Sequence, residues 1–151
     1  MIISFFGHSS LINTDYLYEK VEETIVNNIN HNERILFYCG GYGDFDNLCA
    51  KICREIKSQH QNCELVFVTP YITKAQQIKM KRWMNEKLYD SIVYPPLENV
   101  PKRFAISRRN EWMINESDLI IAYVQHPFGG AYKALEYAKK KKKLTINLAI
   151  E

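Results

Sequence analysis

The sequence has no apolar run that approaches the roughly 20 residues of a membrane-spanning helix. No basic leader precedes its first apolar segment, so we expect a cytoplasmic protein without a membrane partner. The four cysteines include no Cys-x-x-Cys pair, and no histidines or cysteines have the spacing of zinc ligands. We therefore expect reduced thiols, no metal site and no cofactor.

Two phosphate-binding signatures are also missing. The glycine-rich stretch Gly40–Gly43 lacks the Gly-x-Gly-x-x-Gly spacing, and no Gly-Lys-Ser or Gly-Lys-Thr follows it. These absences exclude the dinucleotide fingerprint and the P-loop. The chain has no internal repeat, low-complexity segment or linker either, and we expect a single domain over residues 1–151.

Positive charge is in small excess and is unevenly spread. The net charge is +3, and Lys139–Lys143 is an unbroken run of lysines. Cations at the end of a helix complement its dipole, which explains such a run without a ligand. A nucleic-acid patch is the alternative, but no arginine or aromatic residue is interleaved with these lysines. We therefore do not expect nucleic acid as a partner. A separate expectation is that the protein forms a homo-oligomer, namely a dimer.

Apolar segments of strand length alternate with helical patterns along the whole chain. The predicted strands are Ile2–Phe6, Arg34–Cys39, Cys63–Thr69, Ser91–Tyr94, Asp118–Val124 and Leu144–Ala149. They are mostly continuous in hydrophobicity, which is typical of a parallel sheet that is covered on both faces. We predict an α/β, Rossmann-like, doubly wound fold with a mostly parallel sheet of about six strands and helices on both faces.

Glycines and other small residues follow several of these strands. In an open parallel sheet, ligands bind beyond the carboxyl ends of the strands, where the strand order reverses. The first amides of the helix after Gly129 and Gly130 are unpaired and favour an anion. Arg108 and Arg109 are adjacent arginines, and a guanidinium matches the geometry of a phosphate. The pattern predicts a ligand with a phosphate and a sugar, held largely by backbone amides.

Several segments together resemble a known family. They are Gly40–Asp46, Thr69–Tyr71, Tyr94–Glu98, Val100–Met113, Ser117-Asp118 and Gly129–Ala138. Over nearly the whole chain the sequence resembles the YpsA-like branch of the SLOG superfamily. The resemblance implies a Rossmann-like fold that binds a nucleotide or a nucleotide-derived ligand. The related cytokinin-activating phosphoribohydrolases, the Lonely Guy or lysine-decarboxylase-like family, cleave the N-glycosidic bond of a nucleoside monophosphate.

Those hydrolases carry a Pro-Gly-Gly-x-Gly-Thr-x-x-Glu motif and an upstream arginine. Gly129, Gly130 and Glu136 match the two leading glycines and the glutamate, whereas Phe128, Tyr132 and Lys133 replace the proline, third glycine and threonine. The resemblance implies Glu136 and Arg109 as catalytic residues. The expected ligand-binding residues are Gly7, His8, Ser9, Gly40, Gly41, Gly43, Asp44, Pro70, Tyr71, Arg108, Asn110, Phe128, Gly129, Gly130, Ala131 and Lys133.

Three functions follow as hypotheses. The first is nucleotide binding with hydrolysis of the N-glycosidic bond, or a deoxyribosyltransferase reaction with Glu136 as the covalent nucleophile. The second is a sensor of nucleotide signals that acts through a partner without turnover. The third is a nucleic-acid-binding protein, which rests on the lysine run and on the link of the wider superfamily to DNA processing. His8 and His126 are candidate acid/base groups or loop hydrogen-bonding residues.

Overall fold

Strands and helices alternate along the chain in the computed structural model, which describes residues 1–12 and 14–149. The strands are β1 (Ile2–Gly7), β2 (Ile35–Cys39), β3 (Cys63–Val68), β4 (Ser91–Val93), β5 (Leu119–Tyr123) and β6 (Leu144–Asn147). The α-helices are α1 (Thr14–Asn28), α2 (Gly43–Gln59), α3 (Lys74–Asn85), α4 (Ala105–Glu116) and α5 (Gly130–Lys140). A 3₁₀ turn at Lys102–Phe104 precedes α4.

The strands form one parallel sheet in the order β4-β3-β2-β1-β5-β6. The chain moves outward from β1 through β2, β3 and β4, and then returns to the other side of β1 with β5 and β6. The strand order therefore reverses between β1 and β5. This arrangement confirms the predicted Rossmann-like α/β fold and places the crevice expected of such sheets between those two strands.

Both faces of the sheet are buried, which explains why the strands are mostly apolar. On one face, Phe5 and Phe37 pack with Phe45 of α2 in a cluster that also includes residues of α1. On the other face, Phe6 packs with residues of α4 and α5, including Met113. Adjacent residues of a strand point to opposite faces, so most positions of β1 are apolar, and its buried polar residue, Ser4, forms a hydrogen bond with Ser117.

Glycine at the end of β1 is required by packing. A Cβ on Gly7 would lie 2.3 Å from Cγ of Phe45, which is fully buried at the start of α2. Only a residue without a side chain lets α2 approach the carboxyl end of β1 this closely. The close approach brings the first turn of α2 to the edge of the sheet where β1 and β5 part.

The four cysteines are free and buried. Burial raises the pKa of the Cys49 and Cys53 thiols, which disfavours the reactive thiolate. Among the described residues, no helix is both long and apolar enough to cross a membrane, and no group of three or more metal-ligating side chains is assembled.

Candidate functional site

A cleft of about 430 Å³ opens at the carboxyl edge of the sheet, where the strand order reverses. Its walls come from the end of β1, the loop before α2, the inner face of α4 and the turn before α5. The residues that line it and that the sequence predicted are Gly7, His8, Ser9, Gly40, Arg109, Asn110, Phe128, Gly129, Gly130 and Ala131. The glycine-bearing loops that are far apart in sequence thus meet at one site.

Arg109 is the most deeply placed cation of the cleft. Its side chain is only 3% exposed, and Nη1 donates to the carbonyl oxygens of Gly40 at 3.0 Å and Val68 at 2.7 Å. Its Nε donates to Oδ1 of Asn110 at 3.0 Å. Burial lowers the pKa of the guanidinium, but arginine stays charged in proteins. The carbonyls and the amide therefore hold a buried positive charge at a fixed position.

One nitrogen of Arg109 remains open. Nη2 has no hydrogen-bond partner among the described residues, and Arg109 forms no salt bridge with any carboxylate in that part of the chain. The ring of Tyr42 lies 5.7 Å from the guanidinium carbon and covers part of it. Arg109 lines the cleft, and the two N–H groups of Nη2 are available to donate to a ligand there.

The turn before α5 supplies a second group of donors. Gly129 has φ 93° and ψ 175°, a conformation that is essentially restricted to glycine. No side chain caps the helix, and its first backbone bond runs from the amide of Lys133 to the carbonyl of Gly129. A Cβ added at Gly129 or Gly130 would meet no atom within 4 Å, so the backbone here faces open space. The first amides of α5 can therefore contact a ligand directly.

Three rings form an aromatic stack at the mouth of the cleft. The ring centroids of His8 and His126 are 4.7 Å apart, and the His126 ring lies nearly parallel to Phe128, at 5.3 Å and 12°. Phe128 is 67% exposed although it is a large apolar side chain. An exposed ring that is held in place by a second ring is a platform on which a planar group can stack.

His8 is fixed in one orientation. The amide of Gln125 donates to its Nε2 at 2.7 Å, so that nitrogen acts as an acceptor. Burial, followed by the proximity of His126, lowers the pKa of His8. Its imidazole is therefore neutral at pH 7 and carries its proton on Nδ1.

Asp46 is a cleft residue that the ligand-binding prediction missed. Its half-buried side chain lines the cleft, and Oδ2 accepts a hydrogen bond from the amide of Tyr42 at 3.2 Å. Burial raises the pKa of this carboxyl to about 7, against the opposing effects of Arg109 and of the Tyr42 amide. The sequence signal was a carboxylate in the first turn after a glycine-rich loop, which is also the ordinary place for a helix cap.

Glu136, the expected catalytic carboxylate, lies elsewhere. It is exposed on α5, does not line the cleft, and pairs with Lys139 at 3.5 Å. The buried face of this helix consists of Ala134, Leu135 and Ala138. Because successive residues of a helix are about 100° apart, Glu136 is directed away from the sheet.

The other predicted binding residues that do not line the cleft are Gly41, Gly43, Asp44, Pro70, Tyr71, Arg108 and Lys133. Gly41 and Gly43 have positive φ values of 75° and 89°, and a Cβ on either would collide with Phe67 or Ser9. Asp44 accepts from the amide of Leu11 at 3.0 Å, which ties the loop after β1 to the first turn of α2.

The remaining members of that set have separate surroundings. Pro70 is buried, and the ring of Tyr71 lies 5.7 Å from Nζ of Lys102. Arg108 is exposed and lies 4.0 Å from Glu111 on the same helix. Lys133 lines a neighbouring groove of about 390 Å³ between α4 and α5.

Comparison with known proteins identifies the fold. No family model and no curated protein sequence matches the chain. DNA processing protein A (DprA) from Streptococcus pneumoniae superposes with a TM-score of 0.63 at 14% identity, over 95% of this chain and 48% of that one. DNA processing protein A from Helicobacter pylori, which binds single-stranded DNA, gives 0.64 at 14% identity, over 96% and 63%. The chain thus spans less than two thirds of either neighbour, and it shares with them a Rossmann-like α/β fold.

Proposed function

We propose that the cleft binds a nucleotidyl unit, with its phosphate at Nη2 of Arg109 and the first amides of α5. The observation that carries this proposal is the open nitrogen of an otherwise buried and fully engaged guanidinium. Protein carbonyls hold this charge in place, so a ligand meets a donor whose position is already set. Membership of the YpsA-like branch of the SLOG superfamily is part of the same proposal.

A phosphate suits the two groups of donors better than a carboxylate does. Arg109 and the Gly129–Gly130 turn line the same cleft from different elements, and a phosphate presents several oxygens in different directions. The absence of Cβ atoms at the turn lets the ligand lie against the backbone. Both groups are positive in character, which favours an anion over a neutral sugar.

The aromatic stack is suited to the base of the same ligand. A base on an aromatic side chain contributes about 1–3 kcal/mol and does so for every base, because each has a π-face. Phe128 is both exposed and a lining residue of the cleft, as this role requires. The stack therefore supports binding of the nucleotidyl class without selecting one base.

The geometry supports binding better than cleavage. Glu136, on which the hydrolase and transferase hypotheses rest, lies outside the cleft and pairs with Lys139. Our proposal is accordingly a binding module for nucleotidyl ligands, such as a sensor, and chromatography of each binding mixture tests for release of free base. Free base from the wild-type protein would contradict this part of the proposal.

A segment of single-stranded nucleic acid is the second source of the same chemistry. The groove between α4 and α5 adjoins the cleft, shares Asn110 and Gly130 with it, and carries the cations Arg103 and Lys133. The Helicobacter pylori protein of similar fold binds single-stranded DNA. These two observations run against the expectation that nucleic acid is not a partner.

Binding of nucleoside monophosphates and of decathymidylate (dT10) to the wild-type protein, Gly130→Ala and Ser58→Ala tests the proposal. Gly130→Ala places a methyl group where the phosphate is proposed to lie, and we expect at least about a tenfold loss of affinity, equivalent to about 1.4 kcal/mol. Ser58→Ala is the control, since Ser58 is exposed near the far end of α2. Equal binding by wild type and Gly130→Ala would contradict the proposed phosphate position.

Lys133→Ala distinguishes the two sources. Lys133 lines the groove and not the cleft, so its loss should weaken dT10 and leave a mononucleotide unaffected if a strand follows the groove. We expect the salt dependence of dT10 binding to decrease in the same variant, because one phosphate contact is removed. Mononucleotide binding without dT10 binding would assign the cleft to free nucleotides.

A further inference from the structure

Asp46 is a carboxyl group in a cleft that otherwise favours anions. It lines the same space as Arg109, but the two form no salt bridge. Its Oδ2 accepts from the amide of Tyr42, and its Oδ1 has no hydrogen-bond partner within the described part of the chain. An oxygen of Asp46 is therefore available to a ligand at the site where we place the phosphate.

We propose that Asp46 binds this phosphate as a neutral carboxyl group that donates a hydrogen bond, so that ligand binding takes up one proton. This inference rests on the proposed function of the cleft. An ionised carboxylate would repel a phosphate, and two anions with one buried guanidinium between them would leave one charge unbalanced. Protonation of Asp46 removes the repulsion and converts an acceptor into a donor.

Asp46 is already partly protonated in the free protein near neutral pH. Burial raises the pKa of Asp46 to about 7, so near neutral pH about half of the molecules carry the proton before any ligand arrives. A bound anion raises that pKa further, since it favours the neutral form. The sign follows directly: binding is independent of pH below the pKa of the free protein, and above it weakens by up to about tenfold per pH unit.

The effect of Asp46 must be separated from that of the other titratable groups of the cleft and its surroundings. His8 has a lowered pKa and titrates below 6.5, and the raised pKa of Tyr42 keeps that phenol neutral. Cys49, on the same helix, also has a raised pKa, and Arg109 stays charged. His126 lines the cleft from the turn before α5 and is present in wild type and variant alike. A comparison with Asp46→Asn therefore isolates the carboxyl group.

Binding of dT10 between about pH 6.5 and about pH 8.5 tests the inference, because a phosphodiester keeps its charge throughout this range. We expect the dissociation constant of the wild type to rise roughly 25-fold, as the protonated fraction of a group with pKa about 7 falls. Asp46→Asn has a permanent amide donor and should bind with nearly constant affinity. The control is Glu55→Gln, which also replaces a carboxyl group by an amide at an exposed position of the same helix. Its affinity for dT10 should depend on pH as that of the wild type does.

Calorimetry in buffers of different ionisation enthalpy gives a second measurement, which needs no variant. We expect dT10 binding above about pH 7.5 to take up close to one proton per site. A wild-type affinity that does not change with pH would overturn the inference alone, as would an Asp46→Asn protein that binds more weakly at every pH. If dT10 and nucleoside monophosphates bind at no pH in the range, both the inference and the proposed function fail.

Discussion

The carboxyl group of Asp46 should make the stability of the protein depend on pH in a direction opposite to that of most carboxylates. Its pKa rises from 3.8 to about 7 because it is buried, so the folded state binds the proton more tightly than the unfolded state does. The stabilising contribution is then complete below the unfolded pKa and is lost as pH rises toward the folded pKa. Asp46→Asn removes this dependence and keeps an oxygen that accepts from the amide of Tyr42.

The size of the effect follows from the shift. At about 1.36 kcal/mol per pKa unit, the change from 3.8 to about 7 corresponds to about 4 kcal/mol for the ionised form. About 1.7 kcal/mol of this has developed by pH 5, where the unfolded carboxyl is already largely ionised. The difference in unfolding free energy between Asp46→Asn and wild type should therefore increase by about 3 kcal/mol between pH 5 and pH 8.5.

Urea unfolding of both proteins at several pH values measures this difference. Histidines and other titrating groups are common to the two proteins and cancel in the comparison, and so does any constant cost of the asparagine. Glu55→Gln serves as the matched control and should keep a constant difference from the wild type. If the stability of Asp46→Asn relative to wild type does not change with pH, burial does not raise the pKa of Asp46 and our reasoning about the cleft is refuted.

Two further pairs of substitutions test the local structure. Gly129→Ala should lower the free energy of unfolding by about 1–3 kcal/mol, because the backbone conformation of Gly129 is one that alanine rarely adopts. Gly130→Ala should be neutral or stabilise α5 by up to about 1 kcal/mol. Equal shifts of the thermal unfolding midpoint in the two variants would contradict the assigned turn. Lys143→Ala should lower the free energy of unfolding by about 1–2 kcal/mol, because Nζ of Lys143 donates to the carbonyls of Asn115 and Ser117. Lys140 is exposed, and Lys140→Ala should change the free energy of unfolding by less than about 0.5 kcal/mol. Equal losses for the two lysines would show that Lys143 does not cap α4.

Much of the fold was predictable because burial leaves a direct record in the sequence. Strands that are covered on both faces cannot alternate in polarity, so segments such as Leu119–Tyr123 are recognisable as parts of a parallel sheet. The boundaries were less accurate where backbone geometry decides them. The segment before Ala105 forms a 3₁₀ turn after Pro101, and its apolar residues did not reveal that change of helix type.

Part of the candidate site was also predictable, because parallel strands bring the loops that follow them to one edge. This rule correctly placed the loops of Gly7, Gly40 and Gly129 around a single cleft. It did not distinguish glycines that line the cleft from glycines that lie outside it and that packing requires. Gly41 and Gly43 belong to the second group, because Phe67 and Ser9 occupy the space that a side chain would need.

The two carboxylates show where prediction from spacing ends. Glu136 has the spacing of a catalytic motif, but its angular position on α5 takes it to the solvent. Asp46 has the position of an ordinary helix cap in the sequence. Gly7 permits α2 to approach β1 closely, and Asp46 lines the cleft as a result. The homodimer, the catalytic role of Glu136 and the identity of the ligand remain predictions.

The sequence by itself determined the alternation of strands and helices along the chain, because this follows from hydrophobic patterning and local backbone preferences. A parallel sheet, with the loops that follow its strands at one edge, is the consequence of that alternation. Only the tertiary structure decided the charges of the cleft. The buried guanidinium of Arg109 is held by carbonyls of Gly40 and Val68, which lie 69 and 41 residues away along the chain. The pKa of Asp46 likewise depends on how much water the packed helices exclude, a quantity that no linear pattern records.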